Sequence, residues 1–256
     1  MTYEVEQIDH RRFTRRLNAA PITGQLRVVP APGQSRGFRA SGVSTCLRQT
    51  GYRLLRIPET DDRSNPDNSL AADQGTAIHV RIQEQLAGGD MLYRYPDGTK
   101  AIEVDLRQRA TSAGADRLDR WSLSGHVDAI TVQLDGSPSV LDIKTAKPDL
   151  LRPGAQYLPE KLQGYATQTH TYMAHLADGD GNPVAPTYIY MISRGDTRDR
   201  ALYRIAWQPD RWAVDAARLE VATTAVKAGA LPPPEPGRGG CRWCPWLKRC
   251  QEGKGE

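Results

Sequence analysis

Two neighbouring strand candidates carry the pattern that most constrains how this chain folds. Residues 121–134 and 139–145 are rich in apolar and β-branched side chains, and the Asp-Gly-Ser-Pro sequence between them predicts a tight turn. Side chains two residues apart in a strand share a face, so Asp142 and Lys144 point to the same side. Pairing across the turn would bring Asp128 to that side as well. The pattern therefore predicts a hairpin that presents two carboxylates and one ammonium group on one face.

Carboxylates that converge in this way repel each other unless a positive charge lies near them. Hard divalent cations such as Mg²⁺ bind carboxylate oxygens and retain several waters. In a site that cleaves phosphodiesters, such ions generate hydroxide and offset the charge on the reacting oxygens, and a nearby lysine orients the water or stabilises the developing charge. The alternative is an amphipathic hairpin whose acidic residues and lysine form surface ion pairs, because Asp-x-Lys is a common tripeptide.

The residues around this pattern resemble the core motif of the PD-(D/E)XK nuclease superfamily. The chain has Gly-His-Val-Asp128, then the turn, then a Val-Leu pair directly before Asp142-Ile-Lys144. The residue in the second acidic position of the motif is Asp142 rather than Glu, a substitution that the superfamily allows. His126 shares a strand face with Asp128 and could reach the site, although the family pattern does not require it.

Two further motifs resemble the RecB-like branch of that superfamily. Gly75-Thr-Ala-Ile-His79, on a helix candidate at residues 74–87, matches the Gly-x-x-x-His motif, whose histidine is a metal ligand. Gln168-Thr-His-Thr-Tyr172, on a helix candidate at 161–177, matches the Gln-x-x-x-Tyr motif. Taken alone, these side chains would be an ordinary helix histidine and plain surface residues. In this order and spacing, they support one site together with the hairpin.

The cysteines form a third pattern. Cys241, Cys244 and Cys250 follow a C-x₂-C-x₅-C spacing, and the fourth cysteine of the chain is Cys46. Four thiolates can complete either a tetrahedral zinc site or an iron–sulphur cluster. The spacing does not exclude zinc, although common zinc modules use two close pairs of ligands.

The cysteines bracket the nuclease motifs, with one early cysteine and a C-terminal C-x₂-C-x₅-C. This arrangement resembles the iron–sulphur subgroup of RecB-like nucleases. That subgroup includes CRISPR-associated exonucleases, AddB-type subunits of helicase–nucleases and related phage exonucleases. The resemblance implies a [4Fe–4S] cluster on the four cysteines and a tail that closes on the N-terminal region. Trp243 and Trp246 lie within the cysteine segment and are expected to shield such a cluster; stacking on nucleobases is the alternative.

Charge is distributed unevenly along the chain. The net charge is +4, but residues 1–56 contain ten arginines against three acidic residues, so the rest of the chain is mildly acidic. A basic N-terminal quarter suits contact with a polyanion, and steeply salt-dependent DNA binding is expected from it. The alternative is a solvated, flexible arm.

Element order predicts an α/β fold in which a mixed sheet is flanked by helices. A chain of 256 residues accommodates one sizeable core with a small appendage. We divide it into a basic extension at 1–40, a nuclease core at 41–230, and a linker with the cysteine segment at 231–256. The remaining expected elements are helices at 41–56 and 209–229 and strands at 91–95, 101–107, 186–194 and 201–207, with a loop at 57–73.

Composition indicates a protein of the cytoplasm. No apolar run approaches the roughly 20 residues that a membrane-spanning helix needs, and the N-terminus shows no apolar signal segment. In a reducing compartment, cysteines are expected to be metal ligands rather than disulfides.

The resemblance implies a metal-dependent DNA exonuclease with a restriction-endonuclease-like core that acts on single-stranded ends. In that interpretation, Lys144 positions the attacking water, Gln168 and Tyr172 contact the DNA, and Mn²⁺ or Mg²⁺ is held by His79, Asp128, Asp142 and the backbone carbonyl of Ile143. Two contexts remain open: recombination, repair or phage DNA processing, and CRISPR spacer acquisition with an integrase partner. A catalytically silent iron–sulphur DNA-binding module is the alternative from another class.

Overall fold

The computed structural model describes residues 2–21, 37–60, 67–133, 136–178, 180, 184–236, 238, 241 and 244–252. Asp135 of the predicted turn and Trp243 lie outside these residues. The helices are α1 (Arg11–Ala19), α2 (Leu47–Leu54), α3 (Asp67–Gly88), α4 (Ser112–Arg120), α5 (Leu158–Met173), α6 (Pro209–Lys227) and α7 (Leu247–Glu252). The strands are β1 (Glu6–Ile8), β2 (Phe38–Arg39), β3 (Ile102–Asp105), β4 (Leu123–Ser124), β5 (His126–Val132), β6 (Pro138–Ala146), β7 (Thr187–Ser193) and β8 (Arg200–Ile205).

Six strands form a mixed sheet in the order β1-β8-β7-β6-β5-β3. Strands β6 and β7 are parallel, and every other neighbouring pair is antiparallel. The hairpin predicted from the sequence is β5–β6, with Ala129 opposite Leu141 and Ile130 opposite Val140. The expected mixed sheet flanked by helices is therefore confirmed.

Helices cover both faces of the sheet. Because β6 and β7 are parallel, the chain must cross over between them, and α5 makes that crossover. Alternate residues of β7 show the two faces: Ile189 and Met191 belong to the cluster under α5, whereas Tyr190 and Ile192 belong to the cluster under α1 and α3. Within the described residues, no helix has the length and apolarity to cross a bilayer.

Several elements differ from the sequence prediction. The expected helix at 41–56 is a short 3₁₀ turn followed by α2, because Ser44 and Thr45 donate side-chain hydrogen bonds to the backbone carbonyls of Ser41 and Gly42 instead of capping a helix. The strand expected at 91–95 consists of isolated bridges at two of its residues.

Helix boundaries also differ. Helix α3 begins at Asp67, inside the loop expected at 57–73, since its first turns contain good helix formers. Helix α4 was missed, although Thr111 caps it by accepting a hydrogen bond from the backbone N–H of Gly114 at 2.9 Å. Helix α5 begins three residues before the predicted start at 161 and ends four before the predicted end at 177.

The N-terminal residues are part of the sheet rather than an arm outside it. Strand β1 pairs antiparallel with β8 and forms one edge of the sheet. Leu17 of α1 is buried in one cluster with Ile82 and Leu86 of α3. Sequence patterning missed β1 because it is only three residues long. Residues 22–36 of the expected basic extension lie outside the described residues.

A buried ionic cluster joins both chain ends to α6. The carboxylate of Asp215 is fully buried and contacts the guanidinium groups of Arg211, Arg218 and Arg238 at 2.8–3.2 Å. Tyr3 donates its hydroxyl hydrogen bond to the same carboxylate at 2.8 Å. Burial and the charge of Asp215 raise the pKa of Tyr3, so this hydroxyl keeps its proton. One carboxylate therefore links the N-terminal strand region, α6 and the segment that leads to the C-terminal cysteines.

Replacing Asp215 with alanine is expected to lower the free energy of unfolding by about 3 kcal/mol, because three partly buried guanidinium groups lose their counter-charge. The measurement is urea denaturation. The matched control is Asp149→Ala, which breaks the exposed ion pair with Arg152 and should change stability by less than about 1 kcal/mol. Equal effects of the two substitutions would contradict the structural role of Asp215.

Candidate active site

The hairpin opens at Asp128 and Asp142. The pairing of β5 and β6 ends at Ala129 and Leu141, and beyond that point the carboxylate Oδ2 of Asp128 accepts the backbone N–H of Ile143 at 2.6 Å. A side chain thus satisfies a donor that the neighbouring strand would otherwise pair. The consequence is that Asp128 is held rigidly against the backbone of the strand that carries Asp142.

Asp142 and Lys144 share a face, as the two-residue spacing predicts. The Nζ atom of Lys144 lies 3.0 Å from Oδ1 and 2.8 Å from Oδ2 of Asp142. Asp142 is 1% exposed, and apart from this ammonium group no described donor contacts its Oδ2 atom. Lys144 also lies 5.3 Å from the ring centroid of Tyr165. The ammonium group therefore sits between a buried carboxylate and an aromatic face.

His79 approaches the site from α3. Its Nδ1 atom lies 3.6 Å from Oδ1 of Asp128. Helix α3 packs on β5 and β6, and this packing places its inward face above the opened end of the hairpin. The histidine, both aspartates and the lysine expected from the sequence therefore lie in one place.

Helix α5 closes the site from the other face of the sheet. Gln168 donates through Nε2 to Oδ1 of Asp142 at 3.3 Å and to the hydroxyl of Tyr172 at 2.5 Å. Tyr172 in turn donates to the backbone carbonyl of His126 at 3.0 Å. Both side chains are buried, so in this structure they support Asp142 and β5. Their contact with DNA stays a prediction, as does a role for the exposed side chain of His126.

Sequence reasoning missed Gln83 and Glu103. Gln83 is buried one turn after His79 on α3, and its amide donates to the backbone carbonyl of Asp128 at 3.2 Å and to the carboxylate of Glu103. Glu103 lies on β3 with a positive φ of 46°, a strained conformation for glutamate. The four-residue spacing of His79 and Gln83 on one helix face was the available signal.

Electrostatics distinguish the two aspartates. Burial raises the pKa of both carboxyls, but at Asp128 the imidazole of His79, 3.6 Å away, outweighs it, so that pKa is lowered. At Asp142, burial together with the charge of Asp128 prevails over Lys144, and the pKa is raised. Burial lowers the pKa of Lys144, but the charges of Asp142 and Asp128 outweigh it, and the net shift is upward. The ammonium group therefore stays charged.

The pKa of His79 is shifted by the same two opposing effects as the pKa of Lys144. Burial alone lowers the pKa of its imidazole, but the carboxylate of Asp128, 3.6 Å away, reverses the shift, and the pKa is raised. A metal ion bound at this nitrogen would compete with that proton, since only neutral imidazole is a ligand.

The donor set suits a hard or borderline divalent cation. Two carboxylates suit Mg²⁺ or Mn²⁺, the imidazole suits Mn²⁺ better than Mg²⁺, and the buried Oδ2 of Asp142 is contacted only by the Lys144 ammonium group among the described residues. As the side chains stand, no three His, Cys, Asp or Glu residues within the described part of the chain are grouped closely enough to hold a metal. The ammonium group of Lys144 lies against Asp142 in this arrangement.

The C-terminal tail packs against the region around α2. The backbone N–H of Thr60 donates to the carbonyl of Pro245 at 3.0 Å, and the buried Trp246 stacks on Tyr52 with 5.4 Å between ring centroids. Glu235 accepts the backbone N–H of Leu47 at 2.7 Å, directly after Cys46. The linker and the tail therefore hold the segment that carries Cys46.

The four cysteines are free thiols. Burial raises the pKa of the Cys244 thiol, and the charges of Cys46, Cys250 and Cys241 raise it further. As placed, the four cysteines, all of which the structure describes, do not form a group that could hold a metal ion, and 195 positions of sequence separate Cys46 from Cys241.

Comparison with known proteins gives one family match and a similarity to a solved structure. The family model of the PD-(D/E)XK nuclease superfamily matches residues 92–251, a range that includes Asp128, Asp142 and Lys144 but not His79. A search of curated proteins finds no match. Among solved structures, the crystal structure of SSO0001 is similar over 93% of each chain, with 16% sequence identity and a TM-score of 0.49. Because the family model covers well over half of the sequence, this chain belongs to the PD-(D/E)XK nuclease superfamily.

Proposed function

We propose that this protein is a metal-dependent DNA exonuclease that hydrolyses phosphodiester bonds from single-stranded ends. The superfamily implies a nuclease that acts on DNA with Mg²⁺ or Mn²⁺. The observation that carries the proposal is the placement of Lys144 against buried Asp142 at the opened end of the hairpin, with Asp128 and His79 beside it. The RecB-like motifs at His79, Gln168 and Tyr172 support exonuclease chemistry.

The residues that would hold the metal are His79, Asp128, Asp142 and the backbone carbonyl of Ile143. When bound, the cation lowers the pKa of water and offsets negative charge on the phosphate oxygens. Lys144 keeps its charge, so it can donate hydrogen bonds to the attacking water or to a phosphate oxygen.

Each supporting residue restricts the motion of a ligand. Gln168 holds Asp142 from α5, and Tyr172 holds β5 next to Asp128. Their hydrogen bonds fix the carboxylate positions before substrate arrives, which is the preorganisation that charged transition states require. In the proposal, the same two side chains lie beside the phosphate that is cleaved.

Replacement of Lys144 by alanine is expected to reduce cleavage of end-labelled single-stranded DNA by at least about 100-fold, because one preorganised donor is lost. Asp142→Ala should reduce it at least as much. The measurement is a time course with Mn²⁺ on labelled single-stranded and double-stranded DNA, which also reports polarity and strand preference.

The matched control is Lys161→Ala, which removes an exposed lysine from the first turn of α5 and should leave the rate unchanged. If wild type and the Lys144 variant degrade DNA equally, the catalytic assignment fails and the silent DNA-binding alternative stands. Rates with Mg²⁺ equal to or above those with Mn²⁺ would count against His79 as a ligand, since imidazole suits Mn²⁺ better.

Gln83 is expected to position the metal ligands without touching substrate. Replacing it with leucine removes the hydrogen bonds to Glu103 and to the backbone of Asp128, and we expect Mn²⁺ affinity to fall about 10- to 100-fold. Calorimetric titration with Mn²⁺ measures this. Gln74→Leu, at an exposed position of the same helix, is the control and should bind Mn²⁺ as wild type does. Unchanged affinity in the Gln83 variant would show that α3 acts through His79 alone.

We also propose that Cys46, Cys241, Cys244 and Cys250 hold a [4Fe–4S] cluster. The packing of the linker and the tail against the segment that carries Cys46 supports this. Such a cluster would tie α2 to the tail across a long loop, a constraint worth on the order of 5 kcal/mol by analogy with disulfides.

Protein purified without oxygen is expected to be brown, with about four iron and four sulfide per chain. Cys244→Ser should lose iron and unfold at lower temperature, whereas Ser44→Ala, close to Cys46, should retain the cluster. Elemental analysis and absorption spectra measure this. A colourless wild-type protein that contains zinc and no iron would establish the zinc alternative.

The biological setting that we propose is the cytoplasm, with DNA recombination, repair or phage DNA processing as the task. CRISPR spacer acquisition is the second setting, and copurification with an integrase would favour it. The basic N-terminal region does not separate the two.

A further inference from the structure

Helix α1 carries four exposed arginines whose positions do not contribute to the packing of the helix. Arg11, Arg12, Arg15 and Arg16 are all exposed, and none of them forms an ion pair or a side-chain hydrogen bond within the described residues. The opposite side of the helix is buried through Leu17 and packs with Phe13 against the sheet. The helix is therefore held by its apolar side and presents a purely cationic side to solvent.

This arrangement opposes the stability of the helix. Arg11 and Arg12 lie in the first turn, at the positive end of the helix dipole, and that turn contains no acidic residue. Arg11 with Arg15, and Arg12 with Arg16, are like-charge pairs four residues apart, which repel each other. His10 at the N-cap makes no capping side-chain hydrogen bond to the helix. The nearby carboxylate of Asp9 accepts the backbone N–H of Arg11.

The neighbouring surface adds positive charge. Arg200 of β8 donates to the side chain of Asn18, next to the C-terminal end of α1. The same face of the sheet carries α3, and Leu17 of α1 shares a cluster with Ile82, three residues after His79. The cationic surface is thus on the side of the sheet from which His79 reaches the site.

We propose that the surface formed by Arg11, Arg12, Arg15 and Arg16 binds the phosphate backbone of DNA. Self-repelling cations that have no partner among the described residues are stabilised by a polyanion, and arginine pairs well with phosphate oxygens. Backbone contacts of this kind position nucleic acid without reading its sequence. This inference rests on the proposed function, which supplies DNA as the substrate, and it names a contact surface separate from the catalytic residues.

The test is Arg12→Gln/Arg15→Gln/Arg16→Gln, made in Lys144→Ala protein so that no cleavage accompanies binding. The matched control is Arg94→Gln/Arg152→Gln/Arg198→Gln, which removes the same charge from exposed arginines that are paired with Asp90, Asp149 and Asp196. Fluorescence anisotropy with a labelled oligonucleotide, as single strand and as duplex, measures affinity across a range of salt concentrations. Thermal unfolding of each protein is measured alongside.

The α1 variant is expected to bind DNA about tenfold or more weakly than the control, and its plot of log affinity against log salt should be shallower by about 2. Its melting temperature should equal or exceed that of the parent protein, because repulsion within α1 is relieved. Equal DNA affinity in the two variants would overturn the inference, and so would weaker binding accompanied by a lower melting temperature. Because binding is scored without cleavage, a wild-type protein that binds through α1 but degrades no DNA would defeat the proposed function alone.

Discussion

The structure depends on how one half-buried and one buried carboxylate are accommodated at the end of one hairpin. Asp128 and Asp142 repel each other when both are charged, and burial alone raises the pKa of both. The chain resolves this with one ammonium group against Asp142, one imidazole beside Asp128, and a backbone N–H that Asp128 accepts. A divalent cation would supply the same compensation, so the features that make the hairpin foldable also make it suited to bind metal.

Two helices on opposite faces of the sheet supply further contacts to the two aspartates and their strands. Helix α3 contacts Asp128 twice, through the His79 side chain and through Gln83 one turn later. Helix α5 contacts Asp142 through Gln168 and the backbone of β5 through Tyr172. Helix α5 is also the crossover between the parallel strands β6 and β7. The same helix therefore determines the strand direction and supports the site.

A second buried charge, Asp215, organises the chain ends. Its three arginine partners and Tyr3 connect the N-terminal region and the linker to α6. Arg218 extends this cluster to Glu235, which holds the backbone of Leu47 beside Cys46. The linker that leads to the C-terminal cysteines therefore contacts the segment that carries Cys46.

The local sequence pattern was sufficient to predict the hairpin, the shared face of Asp142 and Lys144, and the main helices. Hydrophobic period and motif spacing are properties of residues that are close in sequence. It also identified His79, Gln168 and Tyr172 as belonging with the hairpin. Tertiary structure alone decided that β1 completes the sheet, that Gln83 and Glu103 support Asp128, and that the polar groups of Gln168 and Tyr172 are buried. These features depend on contacts between residues far apart in sequence. Such contacts form, and stabilise the protein, only when the sheet and its helices pack together.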